Sequence, residues 1–259
     1  MRILALDTST PAGSVALAAG GELTECRIGD AGRTHGERLP GDITTLLAAH
    51  ALTPADIDRY AVCSGPGSFT GLRVGLATIQ ALALVNRRLV VAVPTLEALA
   101  CAALWAPAGD ERTDLVGAWM NAHRGEVFAA LYEVSRAGAE GAAGGSDGGG
   151  ALTEVAGPVA AHPDVVLGDW RERLGGEGRR VAVIGDAVAP VRERLRQELN
   201  CAGLLTPRIP PLAPIAARIA AAAAGRDAGA PHAVRPVYVR RPDAVLARER
   251  RQGPGEAGA

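Results

Sequence analysis

Apolar positions along the chain switch between short runs and helical spacings. Ile3 to Leu6 is a short apolar run that ends in the polar Asp7-Thr8-Ser9-Thr10, and after Pro11-Ala12-Gly13 the run Ser14 to Ala18 resumes. This pattern predicts a β-hairpin. Gly20-Gly21 then turns into a third strand over 22–28. Over 36–50, Leu39, Ile43, Leu46 and Leu47 fall at i, i+4, i+7 and i+8, the spacing of one helix face. Thr53-Pro54-Ala55-Asp56 joins a cap hydroxyl, a first-turn proline and a carboxylate three residues on, so a short helical turn starts there. A strand over 60–64, the turn Gly65-Pro66-Gly67 and a helix over 70–86 follow, the helix with Leu72, Leu76, Ile79, Leu82 and Ala83 on its apolar side. The pattern continues with a strand over 89–93, a helix capped by Thr95 and running to 105, and strands over 115–121 and 127–134.

The second half is less regular. Residues 136–151 are almost entirely Gly and Ala with a few charges, which predicts a flexible loop with too little to bury. A strand over 181–184 ending in Gly185-Asp186, helices over 188–199 and 213–224, and a last short strand over 237–239 are predicted after it. The tail 246–259 is expected to be disordered. Strands followed by helices, once strongly and once weakly, predict an α/β fold of two similar lobes, divided as 1–105 and 106–245.

Composition narrows the chemistry. Met1-Arg2 precedes only four apolar residues before Asp7, and no apolar run is long enough to span a bilayer, so a cytoplasmic protein without membrane contact is expected. The net charge is −1, which disfavours a free-standing nucleic-acid binder. All 27 basic residues are Arg, which excludes a Walker-A lysine, a Schiff-base lysine and a Ser-Lys dyad. The same bias, with 33 Gly and abundant Ala, reads as coding composition. Cys26, Cys63, Cys101 and Cys201 are scattered without a C-x-x-C pair and read as small buried side chains.

Four constellations could carry chemistry. Asp7-Thr8-Ser9-Thr10 could aim N–H groups and hydroxyls at a phosphate with Asp7 holding magnesium through water, or form a hairpin turn bonded to its own backbone. Together with Gly185-Asp186 it keeps an ATP-dependent kinase open as an alternative. Ser64 to Gly75, between a strand and a helix, combines glycines that allow close approach with Ser68, Phe69 and Thr70 at a helix N-terminus. Phe69, in what should be an exposed loop, suggests a docking surface, against the alternative of a ring folded into the core. Arg33-Thr34-His35 lacks the second histidine one turn on, where Leu39 stands, so no metal site is expected. Asn121 to Phe128 reads as a β-turn with solvated charges, with a Glu126–Arg124 pair near a phosphate as the chemical alternative.

Gly65 to Gly75, reading Gly-Pro-Gly-Ser-Phe-Thr-Gly-Leu-Arg-Val-Gly, resembles the signature of the TsaB family, the tRNA threonylcarbamoyl-adenosine biosynthesis proteins formerly called YeaZ. Ile3 to Thr10 with Ser14 to Leu17, His35 to Pro40, Pro94-Thr95-Leu96 and Pro236 to Arg240 match further landmarks of that family. The resemblance implies the actin-like ATPase (ASKHA, RNase H-like) fold. It also implies a non-catalytic subunit that pairs with and activates the catalytic TsaD, joined by the ATPase TsaE and reaching tRNA through the complex. No cofactor would be required, ATP or ADP would bind weakly at most at a vestigial site of Asp7, Thr8, Ser9 and Thr10, and a homodimer could form when TsaD is missing. The implied partner contact runs through the first two helices, at His35, Leu39, Ile43, Leu46, Ser68, Phe69, Thr70, Gly71, Leu72, Arg73, Gly75, Leu76 and Ile79. The chain departs from the family at Asn121, His123 and Phe128, where Asp, Arg and Tyr are usual.

Overall fold

The computed structural model describes residues 1–105, 113–135, 151–174, 178–199, 201, 205–223 and 228–240. Strands β1 (Arg2–Asp7), β2 (Ser14–Ala19) and β3 (Glu22–Ile28) form an antiparallel meander, followed by helix α1 (His35–Ala49). Strand β4 (Arg59–Gly65), helix α2 (Phe69–Val85), strand β5 (Val90–Pro94) and helix α3 (Thr95–Leu104) complete the first half. The second half contains β6 (Leu115–Asn121), β7 (Val127–Ser135), β8 (Ala151–Ala161), α4 (Pro163–Leu174), β9 (Val181–Ile184), α5 (Arg192–Glu198), β10 (Leu205–Thr206), α6 (Ala213–Ala222) and β11 (Ala228–Gly229). One sheet has the order β11-β5-β4-β1-β2-β3 and the other β10-β9-β6-β7-β8. β1, β4 and β5 are mutually parallel, as are β6, β9 and β10.

The alternation of side chains along each strand sends its residues into different cores. On β1, Leu4 and Leu6 face α1 and α2, together with Val15, Leu17, Tyr60 and Val62, while Ile3 and Ala5 face the other way. On β6, Leu115 and Trp119 face α4 and α5, while Val116, Ala118 and Met120 face back toward the first sheet. Between the sheets lie α3 and α6, whose buried residues include Ala98, Ala100, Ala213, Ala216, Ala217 and Ala220. The order of layers is thus α1 and α2, first sheet, α3 and α6, second sheet, α4 and α5. The middle layer does not follow chain order, since α6 packs on β1, β2 and β4 and β11 pairs with β5, although both lie beyond the second sheet's strands.

Several expectations need correction. α1 begins at His35 because the Glu37 carboxylate accepts both the Thr34 N–H at 2.8 Å and its hydroxyl at 2.7 Å, a capping contact that the Thr-x-x-Glu spacing already contained. α2 begins at Phe69, capped by Ser68, whose Oγ accepts the Gly71 N–H. Residues 237–239 form no strand; Val237 makes one backbone hydrogen bond, to Ser64 O at 2.8 Å. The expected loop loses Ala151 to β8, and its remaining residues 136–150, like the tail 246–259, lie outside the described residues. β8 escapes the sequence pattern because Gly157-Pro158 interrupts it, an irregularity taken up by a register shift opposite Ala130. No helix among the described residues is long and apolar enough to cross a membrane.

Two glycines of α2 let it lie on the first hairpin. A Cβ at Gly71 would be driven into the Thr8 carbonyl oxygen, and one at Gly75 into the Thr8 hydroxyl. Backbone cannot yield as a flexible side chain can, so Gly71→Ala is expected to lower unfolding stability by at least about 1–3 kcal/mol. Urea denaturation measures it, and an unchanged midpoint would show that α2 can slide.

Candidate functional site

Asp7 ends β1 at the rim of the space between the lobes, but its carboxylate points into its own turn. Oδ1 accepts the Ser9 N–H at 2.9 Å and the Ser9 hydroxyl at 2.5 Å, and Oδ2 accepts the Thr10 hydroxyl at 3.3 Å. Asp7 is buried, and burial pushes its carboxyl above the ordinary range against the pull of those donors. The neighbouring turn closes over it: Ser68 N–H donates to Ser9 O at 2.8 Å, and a Cβ at Gly67 would lie 2.6 Å from both Cβ and O of Ser9. Of the two readings of this turn, the self-bonded hairpin describes the geometry. Asp7, Thr8 and Ser9 are buried, and Ser9 and Thr10 border the cleft.

One guanidinium organises the next turn outward. Arg38, buried on α1, bonds Asp42 at 2.6 Å, the Ala12 carbonyl, and His35 Nδ1 at 2.9 Å. Because an arginine can only donate, His35 Nδ1 must be an acceptor, which leaves the proton on Nε2, 3.0 Å from Thr10 O. The ring is therefore neutral and bridges α1 to the hairpin. Gly13 and Gly29 admit the guanidinium, since side chains at either would strike it.

The cleft between the lobes has a volume of about 790 Å³. Ser9, Thr10, Pro66 and Gly67 line it from the first lobe, and Met120, Asn121, His123, Phe128 and Asp186 from the second. Asn121 N–H donates to Asp186 at 2.7 Å, and Asn121 Oδ1 accepts the His123 N–H at 2.8 Å. Asn121 and Asp186 thus act as turn-holding groups. Phe69 sits at the mouth, 39% exposed, with the Arg73 guanidinium 3.9 Å from its ring centroid and the Tyr238 ring at 5.0 Å. Glu126 pairs with Arg240. No group of three or more metal-ligating side chains occurs among the described residues.

The residues expected at a partner interface divide into two sets. Leu39, Ile43, Leu46, Leu72, Leu76 and Ile79 are packed inside the core beneath α1 and α2, with His35, Gly71 and Gly75 also buried. They hold the helices on the sheet and cannot meet a partner; the same 3.6-residue spacing that marks a helix face as apolar marks it as inward. Ser68, Phe69, Thr70 and Arg73 are exposed. The outward faces, missed in the sequence because they are bland, carry Pro40, Gly41, Thr44 and Ala48 on α1 and Ala77 and Ala81 on α2. Leu84 and Val85 border them, 67% and 80% exposed.

Burial and the adjacent Arg38 hold His35 below the ordinary histidine range of 6.5. A histidine depressed on folding contributes stability above its unfolded value and loses it as pH falls from about 6.5 toward the depressed value. Asp7, also close to His35, has a raised value and so acts with the opposite sign. Urea unfolding at pH 7.5 and 5.5 is expected to show a loss of stability on acidification that His35→Gln reduces. An equal loss in both proteins would contradict the neutral, bridging ring.

The comparisons with known proteins agree with this geometry. The model of the family described as TsaD, tRNA N6-adenosine threonylcarbamoyltransferase, matches residues 29–147. The tRNA threonylcarbamoyladenosine biosynthesis protein TsaB of Bacillus subtilis is 27% identical over 205 residues, 79% of this chain and 80% of that protein. Its namesake from Escherichia coli is 38% identical over 133 residues, 51% of this chain and 55% of that protein. The structure of YeaZ from Pseudomonas aeruginosa superimposes with a TM-score of 0.70 at 25% identity, covering 92% of this chain and 99% of its own. A second Pseudomonas aeruginosa structure, described as similar to peptidase YeaZ, gives 0.71 at 26% identity with the same coverage. With its two mixed sheets and intervening helices, the chain has the α/β actin-like, two-lobed fold and is similar to the TsaB and YeaZ proteins over most of its length.

Proposed function

We propose that this chain serves the biosynthesis of threonylcarbamoyladenosine in tRNA as a non-catalytic subunit that pairs with TsaD and activates it. The observation that carries the pairing is the outward surface of α1 and α2. Its small side chains, Pro40, Gly41, Thr44 and Ala48 on α1 and Ala77 and Ala81 on α2, let another pair of helices approach closely, and Leu84 and Val85 supply apolar area at one end. An interface of roughly 1,600 Å² is the usual size for such a complex. TsaE and tRNA are reached through that pair, and the same surface can bring two copies of this chain together when TsaD is missing.

The inward-turned Asp7 supports a role that needs no nucleotide chemistry of its own, with ATP or ADP bound weakly at most. An independent kinase would need carboxylates free to hold a metal in the cleft, whereas Asp186, which lines it, accepts the Asn121 N–H. Asp7 likewise spends its acceptor positions on Ser9 and Thr10, so the kinase reading has the weaker support.

Ala77→Arg and Leu84→Asp change exposed side chains and should leave the melting temperature unchanged while weakening association with TsaD by about 100-fold, read by sedimentation velocity. Full-strength association by both variants would refute this surface. Core changes such as Leu72→Asp or Gly75→Trp do not serve, since they would unfold the protein.

A further inference from the structure

The segment after β11 leaves the first lobe and crosses the mouth of the cleft. Gln80 Nε2 donates to Pro231 O and Val234 O at 3.0 Å each, which fixes its start to α2. Val237 then lies on the turn that ends β4; its N–H reaches Ser64 O, and a Cβ at Gly65 would stand 2.6 Å from its carbonyl oxygen. The next contact is aromatic and charged. Tyr238 packs its ring on Phe69 and accepts a hydrogen bond from Arg73 Nε at 3.1 Å, so it grips the first turn of α2. Two residues on, Arg240 donates from Nη1 to Ala122 O at 2.8 Å and pairs through Nη2 with Glu126. Its guanidinium lies 5.9 Å from the Phe128 ring centroid.

Ala122 and Glu126 belong to the second lobe, so this strap stands on both lobes. They are also the residues that close the β6–β7 turn, through Ala122 N–H to Glu126 O at 3.0 Å. That turn holds His123, Arg124 and Gly125 at φ of 60°, 58° and 77°. Two consecutive left-handed side-chain-bearing residues are costly and need support from their surroundings. Arg240 provides it at the base of the turn. On the opposite side of the cleft the lobes meet through the α3 and α6 layer, so floor and mouth are tied by different means.

We infer that Val234–Arg240 is a two-footed latch that sets the width of the cleft and couples the first turn of α2 to the β6–β7 turn. Tyr238 is its foot on α2, and Arg240 its foot on the second lobe. A displacement at Arg73 reaches His123 and Arg124 along this strap, and anything entering the cleft beneath Arg240 is felt on α2. Two sites on different lobes thereby share one conformational element, which is the physical requirement for coupling between them.

Hydrogen exchange on the full chain, read by mass spectrometry, tests the latch. Arg240→Ala should speed exchange about tenfold in 119–128 and also across the cleft in 66–73, because a charge-assisted bridge of this kind is lost. Tyr238→Phe, which removes only the acceptor for Arg73, should produce the same two-sided pattern more weakly, and Glu126→Gln should mimic Arg240→Ala without truncating the strap. Segments 3–7 and 181–184 should be unaffected in all three. Opening confined to 122–126, no change on either side, or a rise that includes the two control strands would each overturn the proposal.

Discussion

The architecture depends on a close approach of two sheets to one layer of helices. The central strands of each sheet are buried on both faces, and their inner faces carry many small residues: Ala5, Ala16 and Ala61 on one, Ala118 and Ala130 on the other, with the alanines of α3 and α6 between them. Alanine costs little conformational entropy in a helix and lets neighbouring backbones come near. On the outer faces larger side chains meet the helices: Leu4, Leu6 and Tyr60 with Leu72 of α2 on one side, and Trp119 with Trp170 of α4 and Leu195 of α5 on the other. A composition that looks like coding bias in the sequence is thus, in part, the middle layer of the fold.

That arrangement fixes where function can reside. The cleft opens at the ends of β1, β4, β6 and β9, and its first-lobe wall is a turn whose acidic residue is consumed internally. Arg38 and His35 then tie the same hairpin to α1. The wall of the cleft and the inner side of the helix pair are consequently joined through one hairpin, and the outer helix faces stay exposed. A buried polar junction of this kind contributes specificity of position more than net stability.

Much of this was legible in the sequence. The opening hairpin, α1 and α2 followed from two clear periodicities, and Gly65 to Gly75 announced both a tight turn and a family. The function of individual residues was less legible, because apolar spacing cannot say whether a helix face meets its own sheet or a partner. Leu39, Leu46, Leu72 and Ile79 were core for that reason, while the outward face carries Gly, Ala, Pro and Thr, residues with no periodic signal. His35 offered a lone histidine, and only the packing of Gly13 and Gly29 around Arg38 reveals why it must stay neutral. Neither β8 nor α4 was anticipated: Gly157-Pro158 obscured β8, and the shared face of Val166, Leu167, Trp170 and Leu174 on α4 was passed over.

The central claim is that this chain enables a reaction without contributing a reacting group. It is tested most directly by forming threonylcarbamoyladenosine on tRNA with purified TsaD and TsaE, ATP and threonylcarbamoyl-adenylate, with and without this protein and with its Asp7→Ala form. The account predicts that modification requires the protein and that any Asp7→Ala preparation that remains folded supports it as well as the unaltered chain. Modification that proceeds equally without the protein, or that is abolished by a folded Asp7→Ala form, would contradict it.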